Sequence, residues 1–365
     1  MSEQAGYAYN KPKMTDNERR PYMPTPDEYV TALGGNQPLP TQPPLRAPRR
    51  KRGRRIVVAI LLVILVGFLC YALYIASIVA KISTQPFDIT PLSRDSNGRT
   101  NVLILGMGDP GHAGEGLTDT MMILSYDIPG HRVAQISIPR DLRVKIPDFG
   151  YAKINSANVY GGTKVAEQTV SNTLGIPVHY FVQTDFSGLV GLVDAVGGIE
   201  VNVKDRLVDS EYPCDDNQYK SCGLDIKPGQ QHMDGALALK YVRCRKGTCG
   251  DDFGRAARQQ EVIGLVRDKM VKWQNLVNPV VLVPLVDALR HSLKTDMGSI
   301  QLLQLAQGWQ KAKGNNPVNL VLSTAAGGYL RNAGGSSDLI PLDGTFAAIQ
   351  ERVKNIFTQP DDAAK

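Results

Sequence analysis

The sequence is poor in the residues from which dense metal sites and disulfide scaffolds are built. Its 365 residues include only five histidines and five cysteines. The histidines are scattered, so their spacing indicates no histidine-based metal site, and the cysteine content is far too low for a disulfide-stapled miniprotein. Because 42% of the residues are hydrophobic and 21% are charged, most of the chain can bury a core, which excludes disorder along the whole length.

Most of the chain also lacks an excess of charge of either sign. Eleven of the 41 Lys and Arg and five of the 35 Asp and Glu lie in residues 1–55, which leaves 30 of each sign in the remaining 310 residues. Non-specific DNA binding depends on neutralising many phosphates. We therefore expect no nucleic-acid partner.

Several common catalytic motifs are missing as well. The sequence has no nucleophile elbow, no HExxH and no P-loop. A G-x-G-x-x-G motif at 106–111 follows a predicted strand, as in a dinucleotide site. However, Pro110 lies within the motif, Gly114 and Gly116 follow it, and the next strand begins near Thr120. No helix fits between them, which argues against a dinucleotide fold.

Charged side chains are absent from one long apolar stretch, residues 56–79. As a helix these 24 residues are about 36 Å long, enough to cross a hydrocarbon core of about 30 Å. Six basic residues in 49–55 precede the stretch, and only Lys81 closely follows it. The positive-inside rule then predicts a single-pass helix in a lipid bilayer, with the N-terminus in the cytoplasm and residues 80–365 outside.

The remaining sequence divides around this helix. We predict a disordered basic cytoplasmic tail over 1–55, where nine prolines precede residue 49, a juxtamembrane stalk over 80–99, a folded domain over 100–357 and a disordered C-terminus over 358–365. Strand-like and helical stretches alternate through the folded domain. This alternation predicts an α/β fold of three layers, with a central mixed β-sheet flanked by helices on both faces. The predicted strands are 101–106, 120–127, 132–139, 179–183, 199–204 and 318–323, and the predicted helices are 163–174, 186–196, 235–241, 254–276, 279–291, 299–311 and 345–357.

Four of the five cysteines lie in the folded domain, and Cys70 lies in the predicted membrane helix. An extracytoplasmic domain is exposed to oxidising conditions, in which disulfides persist. Four cysteines allow three pairings, and the short separations favour Cys214–Cys222 and Cys244–Cys249. A zinc site is the less favoured alternative, because neither pair has the two-to-four-residue spacing of a zinc knuckle.

Arginine and aspartate recur together in three places. Asp119 opens the second strand, Arg140 and Asp141 follow the third, and a third group runs from Arg243 to Gln260. In an extended segment Arg243 and Arg245 project to one face. On the following helix Asp252, Arg255 and Arg258 are spaced one turn apart. Arginines bind phosphate oxygens and carboxylates hold Mg²⁺, so such a group suits a pyrophosphate with its cation. Surface salt bridges remain the alternative interpretation.

These segments, in this order, resemble the LytR–CpsA–Psr family of cell-wall glycopolymer ligases. The resemblance covers roughly residues 100–265 and rests on the stretches NVLILG…LTDTMMILSYD, VAQISIPRDLRVKIP, KINSAN…GG, HYFVQTDFSGLVGLVDAVGGIEV and DGALALKYVRCRKGTCGDDFGRAARQQ. The resemblance implies an enzyme on the outer face of the bacterial cytoplasmic membrane. Such enzymes transfer a glycopolymer phosphate, such as a teichoic acid, from a polyprenyl-pyrophosphate carrier to a peptidoglycan sugar hydroxyl, assisted by Mg²⁺ or Mn²⁺.

The resemblance also implies roles for individual residues. It places the pyrophosphate on arginines, with Gln259 nearby, and the metal ion on aspartates. Asp252 is expected beside the metal or as the base for the acceptor hydroxyl, and the apolar helix Phe186–Val196 either lines the polyprenyl cavity or packs in the core. The implied pyrophosphate ligands are Arg140, Arg243, Arg245 and Arg255, and the implied metal ligands are Asp119, Asp109 and Asp252.

Two positions depart from the pattern of the family. Leu117 stands where family members commonly have an arginine, and Gly108 stands near the place of an aspartate, with Asp109 one residue later. Loss of an arginine removes stabilisation of transition-state charge unless another cation replaces it. Two other functions therefore stay open beside the transferase: a hydrolase of the same lipid-linked glycan, and a non-catalytic receptor for it.

Overall fold

The structure, a computed structural model, describes residues 52–108, 116–214, 220–250, 252–270, 292–334 and 337–358. The chain divides into two compact units, residues 1–63 and 64–365. Residues 1–51 of the predicted tail, the predicted helix 279–291 and residues 359–365 lie outside the described residues, so these predictions are not tested.

Helix α1, Arg52–Ile82, includes the long uncharged stretch of the sequence. Many of its large apolar side chains are exposed, among them Ile56, Leu69 and Leu73. Within the part of the chain that the structure describes, no helix combines the length and apolarity needed to cross a membrane. The predicted helix over 56–79 is present, but its role as a membrane span is not confirmed.

The second unit is built on a mixed six-stranded sheet with the order β11-β6-β1-β2-β3-β12. Strands β1, β2 and β3 are antiparallel neighbours, whereas β6 runs parallel to β1 and β12 runs parallel to β3. The predicted α/β class with a mixed central sheet is confirmed. The six strands are β1 Arg99–Met107, β2 Thr118–Asp127, β3 Arg132–Ile138, β6 Tyr180–Thr184, β11 Leu293–Thr295 and β12 Val318–Val321.

Six helices of this unit follow α1 among the described residues. They are α2 Ala157–Leu174, α3 Phe186–Ala195, α4 Gly235–Arg243, α5 Asp252–Met270, α6 Ser299–Lys311 and α7 Ala347–Lys354. Asp185 and Asp234 cap α3 and α4 by accepting backbone hydrogen bonds. Helix α2 begins earlier than the predicted Thr163, because a kink at Gly161 and Gly162 joins a preceding turn to it.

The sequence analysis missed several short strands outside the central sheet. Three of their pairs, β4–β5, β8–β9 and β13–β14, are antiparallel hairpins, and β10 pairs with β7. Strands of three or four residues give too short an alternating pattern to recognise, and the five residues of β10, GQQHM, are mostly polar. They are β4 Arg143–Ile146, β5 Gly150–Lys153, β8 Leu207–Asp209, β9 Leu224–Ile226, β10 Gly229–Met233, β13 Leu330–Asn332 and β14 Leu339–Pro341, and β7 is the predicted strand Ile199–Val203.

The two faces of the central sheet bury different sets of side chains, because successive residues of a strand point to opposite sides. On one face Leu103, Ile123 and Ile136 pack against α2 and α7 in a closed core. On the other face Val102 and Leu124 pack beside α6. Helices therefore cover both faces, as predicted.

Candidate functional site

The second face of the sheet borders a cavity of about 900 Å³. Strand residues Val102, Ile104 and Val182 form part of its wall, opposite apolar side chains of several helices. Such a volume is in the range of small-molecule sites, and an apolar lining favours an apolar ligand. The helical part of the lining includes Val79, Ile82, Leu189, Leu192, Leu239, Val262, Ile263, Leu302, Leu303 and Ala306.

Helix α3 contributes both to the wall of this cavity and to a packed core. Phe186, Leu189 and Leu192 line the cavity. Val193, on another side of the same helix, is fully buried in a separate apolar cluster with strand β7. The 3.6-residue period thus divides one apolar helix between a cavity wall and a core.

The cavity is apolar over most of its lining but has a strongly charged part. Six of the predicted site residues line it together: Asp119, Arg140, Arg243, Arg245, Arg255 and Gln259. Asp252 lies next to them, in a small adjoining cavity that Asp119, Arg140, Arg255 and Gln259 also line. Asp109 lies outside the described residues, so its predicted metal role is not tested. The structure therefore brings together residues from positions 119 to 259 of the chain.

Arg140 lies at the centre of this charged group, just after strand β3 ends. Its Nη1 donates to Asp119 Oδ1 at 2.7 Å, and its Nε lies 3.4 Å from Asp252 Oδ2 and 3.6 Å from Asp141 Oδ2. Burial alone would lower the pKa of Arg140. The hydrogen bond to Asp119 and the nearby carboxylates outweigh this effect, so the pKa is raised above its ordinary value. The Arg140 side chain is 24% exposed. A permanent cation is thus held where a ligand in the cavity can reach it.

Arg255 is the most deeply buried cation of the group, with 11% of its side chain exposed. Its Nη2 lies 3.4 Å from Asp252 Oδ2, the predicted one-turn neighbour on α5, and donates to the backbone oxygen of Asp119 at 3.4 Å. Burial lowers the pKa of its guanidinium, against the effect of the Asp252 carboxylate. Burying a cation is costly unless an opposite charge compensates it. The buried guanidinium of Arg255 therefore favours the binding of an anion beside it.

Arg243 and Arg245 reach the cavity in a different way from the prediction. The extended segment expected here is wrong: Arg243 is the last residue of α4, and Cys244 is its C-cap. The Asp234 cap and the apolar face of α4 carry the helix to this point. The Arg243 guanidinium lies over the Phe186 ring at 4.4 Å. Both arginines still line the same cavity, so the predicted convergence holds without the predicted backbone.

The chain after Arg243 is held in place by a second buried arginine. Arg258 donates to the backbone oxygens of Tyr241 at 3.0 Å and Cys249 at 2.8 Å, and also to that of Cys244. Arg258 therefore supports the backbone that carries Arg243 and Arg245, and it does not line the cavity itself. The sequence showed Arg258 one turn after Arg255 but gave no sign that it faces the interior.

The four cysteines of the predicted folded domain, residues 100–357, are paired as the short separations favoured, Cys214 with Cys222 and Cys244 with Cys249. The second disulfide starts at Cys244, directly after Arg243, and closes the loop 244–249 that contains Arg245. In the described part of the chain, one group of three side chains has the closeness of metal ligands, Asp209 with Cys244 and Cys249. Because both cysteines are in a disulfide, the zinc alternative loses its ligands.

Sequence reasoning missed two further contributors. Tyr212, 3% exposed, lies beside Arg243 with its ring centroid 5.7 Å from the guanidinium. Lys153 donates to Asp141 Oδ1 at 2.5 Å and so connects strand β5 to the residue after Arg140. The tyrosine comes from a segment with no recognisable motif, and the lysine was visible only as part of the KINSAN stretch. Leu117, the departure from the family pattern, lines the cavity.

A scan against protein families decides the affiliation. The LytR_cpsA_psr family model matches residues 75–337, well over half of the sequence. The chain belongs to the LytR–CpsA–Psr family. The resemblance found in the sequence is confirmed, and the match extends beyond residues 100–265 at both ends.

Among the relatives of this chain are a teichoic acid transferase and a regulatory protein. The polyisoprenyl-teichoic acid–peptidoglycan teichoic acid transferase TagU of Enterococcus faecalis is 30% identical over 275 residues, which are 72% of this chain and 86% of TagU. The regulatory protein MsrR of Staphylococcus aureus is 32% identical over 184 residues, 50% of this chain and 52% of MsrR. The match thus spans about half the length of MsrR and most of TagU.

Solved structures of the LytR–CpsA–Psr family share the fold. The protein gbs0355 of Streptococcus agalactiae is 26% identical, with a TM-score of 0.58 and coverage of 72% of this chain and 89% of that protein. TagT (YwtF) with bound octaprenyl pyrophosphate lipid is 22% identical, with a TM-score of 0.54 and coverage of 76% and 97%. At these identities the likeness concerns the fold.

Proposed function

We propose that this protein is a membrane-anchored phosphotransferase that moves a glycopolymer phosphate from a polyprenyl-pyrophosphate carrier to a sugar hydroxyl of peptidoglycan. One observation carries the proposal: four arginines and Asp119 line a mostly apolar cavity, and Asp252 lies in the small cavity that adjoins it. A ligand that fills such a cavity has a long apolar chain joined to a highly charged head. A polyprenyl pyrophosphate has this composition.

The relatives support the same substrate class. TagU, which this chain matches over most of its length, is a polyisoprenyl-teichoic acid–peptidoglycan teichoic acid transferase. Family membership gives this chain the fold of such enzymes, and the charged group gives it side chains suited to the reaction. Phosphoryl transfer requires mainly positioning and charge neutralisation, which arginines supply.

In the proposed reaction the pyrophosphate lies against Arg140, Arg243, Arg245 and Arg255, with Gln259 beside it and the polyprenyl chain in the cavity. An acceptor hydroxyl attacks the sugar-side phosphorus, and its proton passes to a carboxylate oxygen of Asp252. The bond from that phosphorus to the bridging oxygen breaks, and polyprenyl phosphate leaves with the electron pair. The arginines stabilise the charge that develops on the phosphate oxygens.

We propose Mg²⁺, or Mn²⁺ in its place, as the cofactor. Asp119 and Asp252 supply hard oxygen donors in one small cavity, and such donors fit these ions. Both carboxylates are paired with arginine, Asp119 with Arg140 and Asp252 with Arg255. When bound, the cation neutralises pyrophosphate charge.

A location at the outer face of the bacterial cytoplasmic membrane belongs to the same proposal. It is supported by the 24 uncharged residues of 56–79 and by the basic residues that precede them. A lipid-linked donor is itself confined to the bilayer, so an anchored enzyme meets it at a high effective concentration.

The test uses the full-length purified chain in lipid vesicles with a synthetic polyprenyl-pyrophosphate glycan, Mg²⁺ or EDTA, and peptidoglycan fragments present or absent. We expect polyprenyl monophosphate to be released and glycan to become covalently attached to the acceptor, both only with the metal. Release that is independent of the acceptor would make the protein a hydrolase. Binding of the donor without release would make it a receptor.

A further inference from the structure

Three aromatic side chains are exposed on the β4–β5 hairpin and on the first turn of α2. Phe149 and Tyr160 stack with ring centroids 5.0 Å apart and an angle of 9° between their planes. Phe149 is 50% exposed, Tyr160 is 45% exposed, and Tyr151 in the same hairpin is 67% exposed. Aromatic rings bury readily, so a stacked pair and a third ring left at the surface indicate an interaction site.

The hairpin of β4 and β5 links these aromatic residues to the charged group of the site. Tyr151 is two residues before Lys153, about 7 Å along an extended strand. Lys153 Nζ donates to Asp141 Oδ1 at 2.5 Å, and Asp141 Oδ2 lies 3.6 Å from Arg140 Nε. One strand therefore leads from the exposed rings to the arginine that we assign to the pyrophosphate.

The hairpin carries charged side chains of both signs, the cations Arg143, Lys145 and Lys153 on its strands and the exposed Asp148 in its turn. Arg143 and Lys145 are exposed on β4, while Val144 and Ile146 between them are buried. In the register of the hairpin Arg143 lies opposite Lys153, and Lys145 lies opposite Tyr151. Arg143 and Lys153 are paired with Asp338 and Asp141. Lys145 has no ion pair among the described residues.

We propose that Phe149, Tyr151 and Tyr160, with Lys145, form a binding platform for the acceptor glycan. This inference rests on the proposed transferase function and specifies where its acceptor lies. Sugar rings present C–H faces that stack on aromatic rings, and their hydroxyls and amides need polar neighbours such as a tyrosine hydroxyl. Peptidoglycan also carries carboxylates, with which the ammonium of Lys145 can pair.

A lipid surface is a poorer match for this group. The end of α1, with Val79 and Ile82, lines the cavity on one face of the sheet. The hairpin packs on the other face, because Val144 and Ile146 belong to the closed core. The aromatic residues are therefore on the side away from the end of the helix that we propose as the anchor.

The test measures glycan binding and turnover separately, with the full-length chain. The variants are Tyr151→Ala and the double variant Phe149→Ala/Tyr160→Ala, with Phe87→Ala as a matched control. Phe87 is 85% exposed and lies in the segment between α1 and β1, outside the β4–β5 hairpin and α2. The binding probes are N-acetylglucosamine tetrasaccharide and soluble peptidoglycan fragments, titrated against each protein.

We expect either platform variant to weaken fragment binding by about tenfold, and to raise the acceptor KM similarly, while kcat and the donor KM stay within twofold. The control should match the wild type. Fragment binding that the variants leave unchanged, or that the wild type lacks, would overturn the platform. So would a loss of vesicle binding in the variants, since it would assign the rings to a lipid surface.

The binding measurement separates this inference from the proposed function. If the wild type transfers no glycan but binds the fragments through these rings, the platform stands and the transferase proposal fails. If the wild type transfers glycan and the variants keep its acceptor KM, the transferase stands and the platform fails.

Discussion

The two faces of the central sheet differ in how completely they are filled. On one face Leu103, Ile123 and Ile136 are fully buried against α2 and α7. On the other, Val102, Ile104 and Val182 border a cavity of about 900 Å³. The same strands supply both faces, because neighbouring residues alternate between them. The difference shows that one sheet provides stability on one side and a binding site on the other.

The charged group lies on the open side for a simple reason of connectivity. Asp119 opens β2 and Arg140 follows β3, two antiparallel neighbours, so both residues lie at the same end of the sheet. Helix α5 brings Asp252 and Arg255 to that end. If this division of roles is right, substitutions on the two faces should differ in kind. The predictions below test it.

The largest effect is expected for Arg140→Ala. This change removes the cation that contacts Asp119 and Asp252 and leaves two carboxylates facing each other. Loss of one such charge-stabilising group typically lowers kcat about 10²- to 10³-fold. The measurement is the rate of polyprenyl monophosphate release. Arg140→Lys should give an intermediate rate, because lysine keeps the charge but not the planar fork.

Arg206→Ala is the matched control for this prediction. Arg206 is an exposed arginine that pairs with Asp225 and does not line the cavity, with 61% of its side chain exposed. Its loss should leave the release rate within twofold. A rate for Arg140→Ala above one tenth of wild type would remove Arg140 from the proposed machinery.

The second prediction compares two adjacent residues of β1. Leu103 points into the closed core and is fully buried, whereas Ile104 lines the cavity and is only partly buried. We expect Leu103→Ala to lower the free energy of unfolding by about 3 kcal/mol and Ile104→Ala by about 1 kcal/mol. Urea denaturation measures both.

For lipid affinity we expect the opposite order of effects in these two variants. Ile104→Ala should change the affinity for a polyprenyl phosphate more than Leu103→Ala does, provided that the latter variant is still folded. Equal losses of stability in the two variants would mean that the cavity side is packed as tightly as the core, and the contrast between the faces would disappear.

Much of this architecture was predictable from the sequence, and the failures have physical causes. Long apolar strands such as β1 and capped helices such as α4 gave clear signals. The β4–β5 hairpin did not, because four-residue strands carry too little periodicity. The convergence of Arg140 with Arg255 was predicted from residue types and from the family resemblance. The position of Arg243 at a helix end was not, since the predicted helix ended near Tyr241 and the observed one continues two residues further, to the Cys244 C-cap.

The third prediction tests how strongly the filled face of the sheet excludes water. Glu167 lies on α2, and burial together with the nearby Asp296 carboxylate raises the pKa of Glu167 to about 7 from its ordinary 4.5. A raised carboxyl pKa means that the folded state favours the neutral form. This contribution to stability is complete below about pH 4.5 and is lost as the pH rises through about 7.

Glu167→Gln should therefore match the wild type near pH 4.5 and be more stable than it at pH 8. Because Glu167 is partly exposed, solvent screening reduces the expected difference to about 1 kcal/mol. Urea denaturation at the two pH values provides the comparison. Asp296→Asn should retain part of the pH dependence, since burial is the larger cause of the shift. A constant difference between Glu167→Gln and wild type at both pH values would contradict this account.

The smallest effect is expected at the floor of the cavity, for Gln135→Leu. Gln135 is 1% exposed and lines the cavity, and its Oε1 has no hydrogen-bond partner among the described residues. Replacing a buried, unsatisfied acceptor with an apolar side chain of similar size is close to neutral or stabilising. We expect the free energy of unfolding to change by less than about 0.5 kcal/mol. By contrast, Gln260→Leu removes a donor that contacts Ser137 Oγ at 2.8 Å and should cost clearly more. A loss at Gln135 as large as that at Gln260 would mean that the cavity floor holds ordered water, and the open face of the sheet would then be less apolar than its lining suggests.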